Sequence, residues 1–476
     1  MTLTVTDALL GSGLDHRQGV AIRLDGGSIA AIAPEEVSGP RLLALPAFAN
    51  AHDHARPLSL TSFGAAFLPL ETWLPRSALA TPPDAYLAAA APLARAARSG
   101  CAAVMVHYTR PSGRLSPVDE AREVARAARD VGVRMAFAPA IRDRNPLVYG
   151  ASEPVLAELP PEHRETMARM FERPAPAPAD YVALVEEIAA AIEGPTVSVQ
   201  FGPAGVQWCS EPLLEAIAER SAATGRRVHM HLLETRYQRD WADRTFPRGI
   251  VTYLKEIGLL SPRLTLAHAV HSTEAEREMI AEAGATIVTN FSSNLGLRSG
   301  IGPIREARRQ GCRVCVGMDG LAFDEDDDIL REMRLVQSAH GPWGFDDPGD
   351  RRRFLAAVIA DGRASLGAPG DGALVPGAPA DIVLLDLDAL DRDAILPVDP
   401  LDLLFARGTQ RHVRDVVVAG RTIVRDGVVL GLDLDAAEDE LRDRYRQALA
   451  GEPLLAAWPS FDRAALRWYT ERAGCC

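Results

Sequence analysis

A single lysine, Lys255, stands among the 51 basic residues of this 476-residue chain. Schiff-base catalysis, a phosphate-binding P-loop and a lysine-bridged pair of metal ions each need a placed lysine, so none of them is expected. Long apolar runs are also missing. No stretch approaches membrane-spanning length, and Met1-Thr-Leu-Thr-Val-Thr-Asp7 has no basic segment followed by an apolar core. The expectation is a cytoplasmic protein with no membrane partner. Positive charge is short overall, the formal net charge being -13; phosphates demand a basic surface, which argues against nucleic acid as a partner. The six cysteines form no CxxC…CxxC framework. Cys312-Arg-Val-Cys315 sits in apolar surroundings and reads as a buried strand rather than a redox pair, and Cys475-Cys476 as a frayed tail. Residues 172–178, rich in proline, read as a surface loop, and no internal repeat appears.

What the chain does have is alternation. Residues 1–45 hold short alternating segments separated by glycines, the pattern of antiparallel strands. After Leu45, apolar strands alternate with amphipathic helices, the strands expected at 44–51, 102–107, 133–139, 196–201, 226–232, 263–269, 285–290 and 312–318. Eight strands separated by helices make an α/β protein with a (β/α)8 TIM-like barrel. From about 371 the helices stop, and 377–386 and 414–426 read as strands. The expected organisation is a β-sandwich built from both ends of the chain (1–45 and 371–433), a barrel inserted between them (46–370), and a C-terminal helical extension (434–476).

Barrel enzymes carry their chemistry at the C-terminal ends of the strands. Strand one runs Leu45-Pro-Ala-Phe-Ala-Asn-Ala-His-Asp-His54, and alternation puts His52 and His54 on one side. Strand five ends in His229-Met-His231-Leu-Leu-Glu234, strand six in Leu266-Ala-His268-Ala-Val-His271, and strand eight in Val316-Gly-Met-Asp319. Taken singly, His268 is a satisfied core histidine and Asp319 a helix N-cap. Four such coincidences in order indicate a metal site instead. Neutral imidazoles with one carboxylate suit a single divalent ion, Zn²⁺ with Fe²⁺ as the alternative, and leave a position for water. Strand four, at 196–201, offers no lysine to bridge a second ion, so the site is expected to be mononuclear.

These segments resemble the amidohydrolase superfamily, in its branch of cytosine-, guanine- and adenosylhomocysteine-type deaminases and triazine hydrolases. The resemblance spans nearly the whole chain. It rests on the strand-one run ending in His52-Asp-His54, on His231-Leu-Leu-Glu-Thr235, Leu266-Ala-His-Ala-Val-His271, Ser292-Ser-Asn-Leu-Gly-Leu-Arg-Ser-Gly300, Gly317-Met-Asp-Gly320 and Pro376-Gly-Ala-Pro-Ala-Asp-Ile-Val383. It implies that His52, His54, His231 and Asp319 hold the metal, with Asp319 also taking a proton from water, that Glu234 is the acid/base, and that His268 faces water and substrate. His229 shares a strand face with His231 and is its rival.

The resemblance also implies the reaction, displacement of ammonia from an amidine-type carbon of a small N-heterocycle. The alternative is hydrolysis of another C–N or C–halogen bond, by alkylamine or chloride displacement from a triazine or by opening of a cyclic amide. It further implies a homo-oligomer, expected as a dimer. The chain departs from the family pattern at Ala204, Gln207, Trp208, Phe291 and Met318, which touches the substrate rather than the metal. Candidate substrate contacts are Arg56, Trp73, Arg142, Gln207, Trp208 and His271. His107 reads either as a cavity lining or as packing. The acidic run 324–328 reads as a helix N-terminal charge cluster and not as a calcium loop. The HxE and PCxxC ligands of the other deaminase architecture are absent, which also argues against action on nucleic acid.

Overall fold

The computed structural model describes residues 1–172, 174–321, 326–342 and 350–473. Arg173, Asp324, Glu325 and the Cys475-Cys476 pair lie outside the described residues. Both ends of the chain contribute to one mixed sheet. Its strands are β1 (Thr2–Leu10), β2 (Asp15–Asp25), β3 (Ser28–Pro34) and β4 (Leu42–Pro46) from the first part. The barrel strands β5 to β13 follow, and then β14 (Ile382–Asp386), β15 (Val413–Val418), β16 (Arg421–Arg425) and β17 (Val428–Val429) complete the sheet. The order β17-β16-β15-β14-β4-β1-β2-β3 joins the two ends through the antiparallel β4–β14 pair, Leu43 opposite Leu385. Val5, Ile22, Ile29, Ile382 and Leu384 form a core belonging to this sheet. The Ile29 amide donates to the Ala378 carbonyl at 2.9 Å, so the first and last parts also meet along the β3 edge.

Only Ala47 separates β4 from β5 (Phe48–Asp53), so the chain passes from sheet to barrel without a linker. The barrel continues with β6 (Cys101–Tyr108), β7 (Arg134–Ile141), β8 (Val197–Val199), β9 (Gly202–Pro203), β10 (Val228–Leu232), β11 (Leu264–His268), β12 (Thr286–Thr289) and β13 (Arg313–Val316). Parallel ladders run β5-β6-β7-β8 and β10-β11-β12-β13. Two seams close the ring. Phe201 and Gly205 bridge to Val228 and His231, and the amides of Met318 and Asp319 both donate to the His52 carbonyl, at 3.1 and 2.9 Å. Strand four is shorter than the expected 196–201 and restarts as β9. Pro203 has no N–H to give a ladder, and Gly202 packs where a Cβ would come within 2.8 Å of the Pro139 carbonyl oxygen.

Helices cover the barrel for ordinary reasons. Pro117–Val131 starts at Ser116, whose hydroxyl accepts the Asp119 amide, and buries Val124, Ala128 and Val131. Glu274–Glu282 starts with a Thr273/Glu276 capping box. Full burial of a valine or leucine side chain contributes roughly 1.5–3 kcal/mol, so a few such contacts hold each helix in place. The C-terminal helix Leu454–Ala473 packs across Pro161–Phe171 and against Leu70–Arg76, close to the mouth of the barrel. Cys312 and Cys315 are buried and free, on and beside β13, and burial pushes both thiols up. No helix among the described residues is long and apolar enough to cross a membrane.

Candidate active site

Strand alternation carries His52 and His54 to the same side of β5, their ring centroids 4.9 Å apart. His54 Nδ1 lies 2.7 Å from the His107 carbonyl oxygen, and His231 Nδ1 lies 2.6 Å from that of Ala204. A carbonyl only accepts, so each ring carries its proton on Nδ1 and presents a lone pair at Nε2. These two Nε2 atoms face each other at 3.3 Å. Burial keeps both imidazoles neutral by lowering their pKa, so no second proton bridges them.

His52 and Asp319 complete the cluster. His52 Nε2 and Asp319 Oδ1 are buried without a hydrogen-bond partner, and they lie 3.4 Å apart. His54 Nε2 is 3.1 Å from the same carboxylate oxygen. Burial opposes ionisation of Asp319. The Arg56 guanidinium and the facing imidazoles outweigh it and hold the carboxyl well below the usual range. Facing lone pairs, orphaned buried acceptors and an ionised carboxylate at one point form a donor set that a divalent cation fits. The potential ligand groups overlap as His52/His54/Asp319, His52/His231/His268 and His54/His107/His231. His229 sits behind the cluster, its Nε2 sharing a 2.7 Å hydrogen bond with His52 Nδ1.

The backbone is shaped around this cluster. His268, Leu233 and Asp319 hold φ of 74°, 50° and 47°, left-handed conformations that are uncommon outside glycine and gather at functional sites. Gly317 has no freedom to be anything larger, since a Cβ there would lie 2.5 Å from Asn290 Oδ1 and 2.7 Å from the His52 amide nitrogen. Asp319 Oδ2 accepts from the Ser293 hydroxyl.

Glu234, three residues after His231, is fully buried. Burial, reinforced by Asp319 and Glu71 and opposed by His268, pushes its carboxyl up to about 7. One oxygen is 3.4 Å from the Ser299 hydroxyl and the other 3.8 Å from His268 Nε2. His268 Nδ1 pairs with Asn294 Oδ1 at 2.8 Å, which leaves Nε2 as the free acceptor facing Glu234. Behind Glu234, its amide donates to Gln238 Oε1 at 2.8 Å, and Gln238 Nε2 donates to the Tyr149 hydroxyl at 3.3 Å. That hydroxyl and Thr235 both donate to the buried Glu71 carboxyl.

An inner cavity of 140 Å³ opens onto the cluster, lined among others by His54, His231, Glu234, His268 and Asp319. Of the expected substrate contacts, Arg56, Trp73, Arg142 and Trp208 line it. Arg56 is heavily committed. It donates to the carbonyls of Asp319 and Gly320, and its guanidinium lies 4.9 Å from the Trp73 ring centroid. Gln207 and His271 do not line the cavity. The positive φ of His268 and Ala269 turns the chain away, so His271 Nε2 bonds the Ser299 carbonyl at 2.8 Å instead. Gln207 is buried in the short turn beside Trp208, its carbonyl accepting from Asn145. His107 both packs and supports, through the carbonyl that orients His54.

Sequence reasoning missed Glu71, Arg110, Ser293, Asn294 and Ser299 at this site. The last three fall in the quoted run Ser292–Gly300, which was a signal without assigned roles; Glu71 lies in the first turn of the short helix Leu70–Arg76 and Arg110 just after β6, and neither position's contacts follow from the strand alternation that located the other residues.

Comparison with known proteins follows this geometry. Residues 43–423 match the Amidohydrolase family. An 8-oxoguanine deaminase from Pseudomonas aeruginosa is 30% identical over 451 residues, 93% of each chain. A 5-methylthioadenosine/S-adenosylhomocysteine deaminase from Nitratidesulfovibrio vulgaris is 32% identical over 248 residues, which span 52% of this chain and only 56% of that relative. In fold, the chain is similar to an adenosine deaminase from Xanthomonas campestris with bound zinc, at 23% identity and a TM-score of 0.75, covering 94% of this chain and 98% of the other. It is equally similar to an atrazine chlorohydrolase variant from Arthrobacter aurescens complexed with zinc and atraton, with a TM-score of 0.75 at 23% identity over 93% and 98% of the two chains.

Proposed function

This chain belongs to the amidohydrolase family, and on that premise we propose that it is a metal-dependent hydrolytic deaminase of a small N-heterocycle, replacing an exocyclic amino group with oxygen and releasing ammonia. The observation that carries the reading is the meeting of the unpartnered donor set of His52, His54, His231 and Asp319 with a buried carboxyl raised to about 7. The 93% alignment with a relative named 8-oxoguanine deaminase supports a purine-like ring as substrate.

His52, His54, His231 and Asp319 are the proposed ligands, with His229 orienting His52, His107 and Ala204 orienting the other two imidazoles, and Zn²⁺ (Fe²⁺ the alternative) as the ion. Such an ion, when bound, lowers the pKa of a water towards neutrality. Asp319, held ionised, takes the proton of the attacking water. Glu234 enters protonated and gives its proton to the ring nitrogen; it then relays the proton held by Asp319 to the departing amine and is itself reprotonated by the new hydroxyl as the carbonyl forms. His268 Nε2 accepts a hydrogen bond from the new hydroxyl at the tetrahedral carbon, its ring held by Asn294. Trp73 and Trp208 wall the ring. Cytoplasmic residence and a homodimer complete the proposal, tested by fractionation and light scattering.

The deciding assay offers the metal-loaded enzyme a panel of aminopurines, aminopyrimidines, pterins and triazines. Ammonia release from at least one is expected. Release of alkylamine or chloride, with no ammonia from any, would overturn the deaminase reading in favour of the other hydrolytic one.

A further inference from the structure

Asp319, His268 and Glu234 are all met from one side by a single short helix, Phe291–Gly296, and the turn that follows it. Ser293 donates to Asp319, Asn294 pairs with His268 Nδ1 at 2.8 Å, and the Ser299 hydroxyl lies 3.4 Å from Glu234. The Ser299 amide donates to the Asn294 carbonyl at 2.8 Å, which ties the turn to the helix. Six residues are fewer than the roughly 12 that an isolated helix needs to persist in water. The N-cap residue, Asn290, makes no side-chain cap hydrogen bond. The helix is therefore held from outside.

Glu332 holds it. This residue sits in the first turn of the helix Ile329–His340, which follows β13 and Asp319, and it is fully buried. Its Oε1 accepts the Ser292 amide at 3.0 Å, one of the first-turn donors that a helix leaves open. Glu332 does not line the inner cavity. Its Oε2 is buried with no hydrogen-bond partner, and burial, opposed first by the Ser292 amide, pushes the carboxyl up to about 7. A buried acid with one oxygen unmet is costly, and packing alone would be served better by an apolar side chain of the same size.

We propose that Glu332 is a positioning residue for the metal site: by accepting the Ser292 amide it fixes the helix Phe291–Gly296, and through Ser293 and Asn294 it sets the Asp319 carboxylate and the His268 ring. The inference rests on the ligand set proposed above and is independent of which group leaves the substrate. Ligands to a metal are aimed by the hydrogen bonds behind them, and loss of such a partner weakens metal binding by about 10–100-fold. Here the support is itself supported, from a helix that touches no reacting atom.

The test reads metal affinity rather than turnover. Zinc binding is measured by competition with a chromophoric chelator, well below the thermal midpoint of each variant. Glu332→Met keeps the bulk and removes the acceptor; it should weaken zinc by about tenfold and shift the visible absorption bands of the cobalt-substituted protein. Glu332→Gln keeps an acceptor oxygen for the Ser292 amide and should stay within about threefold of wild type. Ser293→Ala should lose as much as Glu332→Met, and the two together no more than about twofold beyond either alone, because both act along one route. Val336→Ala, one turn further along the same helix and also buried, is the packing control: it should lower the thermal midpoint and leave zinc affinity and the cobalt bands unchanged. Should Glu332→Met misfold, Glu332→Asp, one methylene short of the contact, should weaken zinc by about threefold or more. Wild-type affinity in Glu332→Met, an equal loss in Glu332→Gln or Val336→Ala, or additive losses in the double variant overturns the positioning role. Failure of the underlying reading looks different. A protein that binds no zinc, or binds it as tightly after His231→Ala, overturns the ligand set and this role with it, whereas no ammonia from any heterocycle, with the Glu332 effect on zinc intact, counts against the deaminase reading alone.

Discussion

At the floor of the cavity every imidazole has a second partner behind it: His229 for His52, the His107 carbonyl for His54, the Ala204 carbonyl for His231 and Asn294 for His268. At the mouth, Arg110 leans on a carbonyl and a hydroxyl and Arg142 on nothing described, while Trp73 rides on the short helix Leu70–Arg76. The floor is built from strand ends whose geometry the barrel fixes; the mouth is built from connections between them. A rigid floor keeps the reacting atoms in place with no help from substrate. The mouth, set by connections rather than by strands, is left to shape recognition.

The comparison can be broken at its strongest point first. His231→Ala removes a floor residue and is expected to abolish bound metal and to lower turnover by at least about a thousandfold. Elemental analysis of the purified variant checks this, and a full complement of metal in an active protein would dissolve the proposed ligand set. Glu234→Gln should retain its metal while kcat falls by about 10²–10⁴-fold; near-normal turnover by this variant would remove Glu234 from the reaction.

The proton on Glu234 sharpens the contrast through pH. Its carboxyl sits at about 7 in the folded protein against an ordinary 4.5, so it is protonated below that range and loses its proton as pH rises through about 7. Activity is expected to fall with that limb in kcat/KM profiles, and a limb near 4.5 would contradict the assignment. The same shift lowers the stability of the metal-free fold as pH rises from 4.5 to about 7, because the unfolded chain ionises first, a cost of up to about 3 kcal/mol. Glu234→Gln should therefore melt higher than wild type at pH 8 but not at pH 4. The smallest effect belongs outside the cavity: His271→Ala should change kcat/KM by about twofold or less, since its ring lies off the cavity and bonds the Ser299 carbonyl. A large loss there would extend the floor beyond its present border.

How much was legible follows the same division. The barrel, its eight strands and the positions of His52, His54, His231, His268 and Asp319 at strand ends were readable because alternation has a period of two and the active face of such a barrel is fixed. The early break in strand four at Gly202-Pro203 was less visible, although proline was its signal. His271 was misplaced at the substrate because spacing alone cannot show that His268 and Ala269 adopt positive φ and turn the chain outward. Trp73 and Trp208, singled out by residue type, line the cavity. Glu71 and Arg110 were not, because a seven-residue helix and the segment after β6 do not by their sequence state which neighbours their side chains meet.

The sequence by itself determined the fold and the family, and it named the residues from which the proposed donor set is drawn, since each depends on local periodicity and on residue chemistry that survives any rearrangement of loops. Only the tertiary structure decided which nitrogen of each imidazole is free, that Glu234 is buried beside other carboxyls and keeps its proton to about 7, and that Glu332, on a separate helix, meets the Ser292 amide. Tautomer, desolvation and charge compensation are properties of neighbours, and neighbours from segments far apart in the chain meet only when the barrel closes.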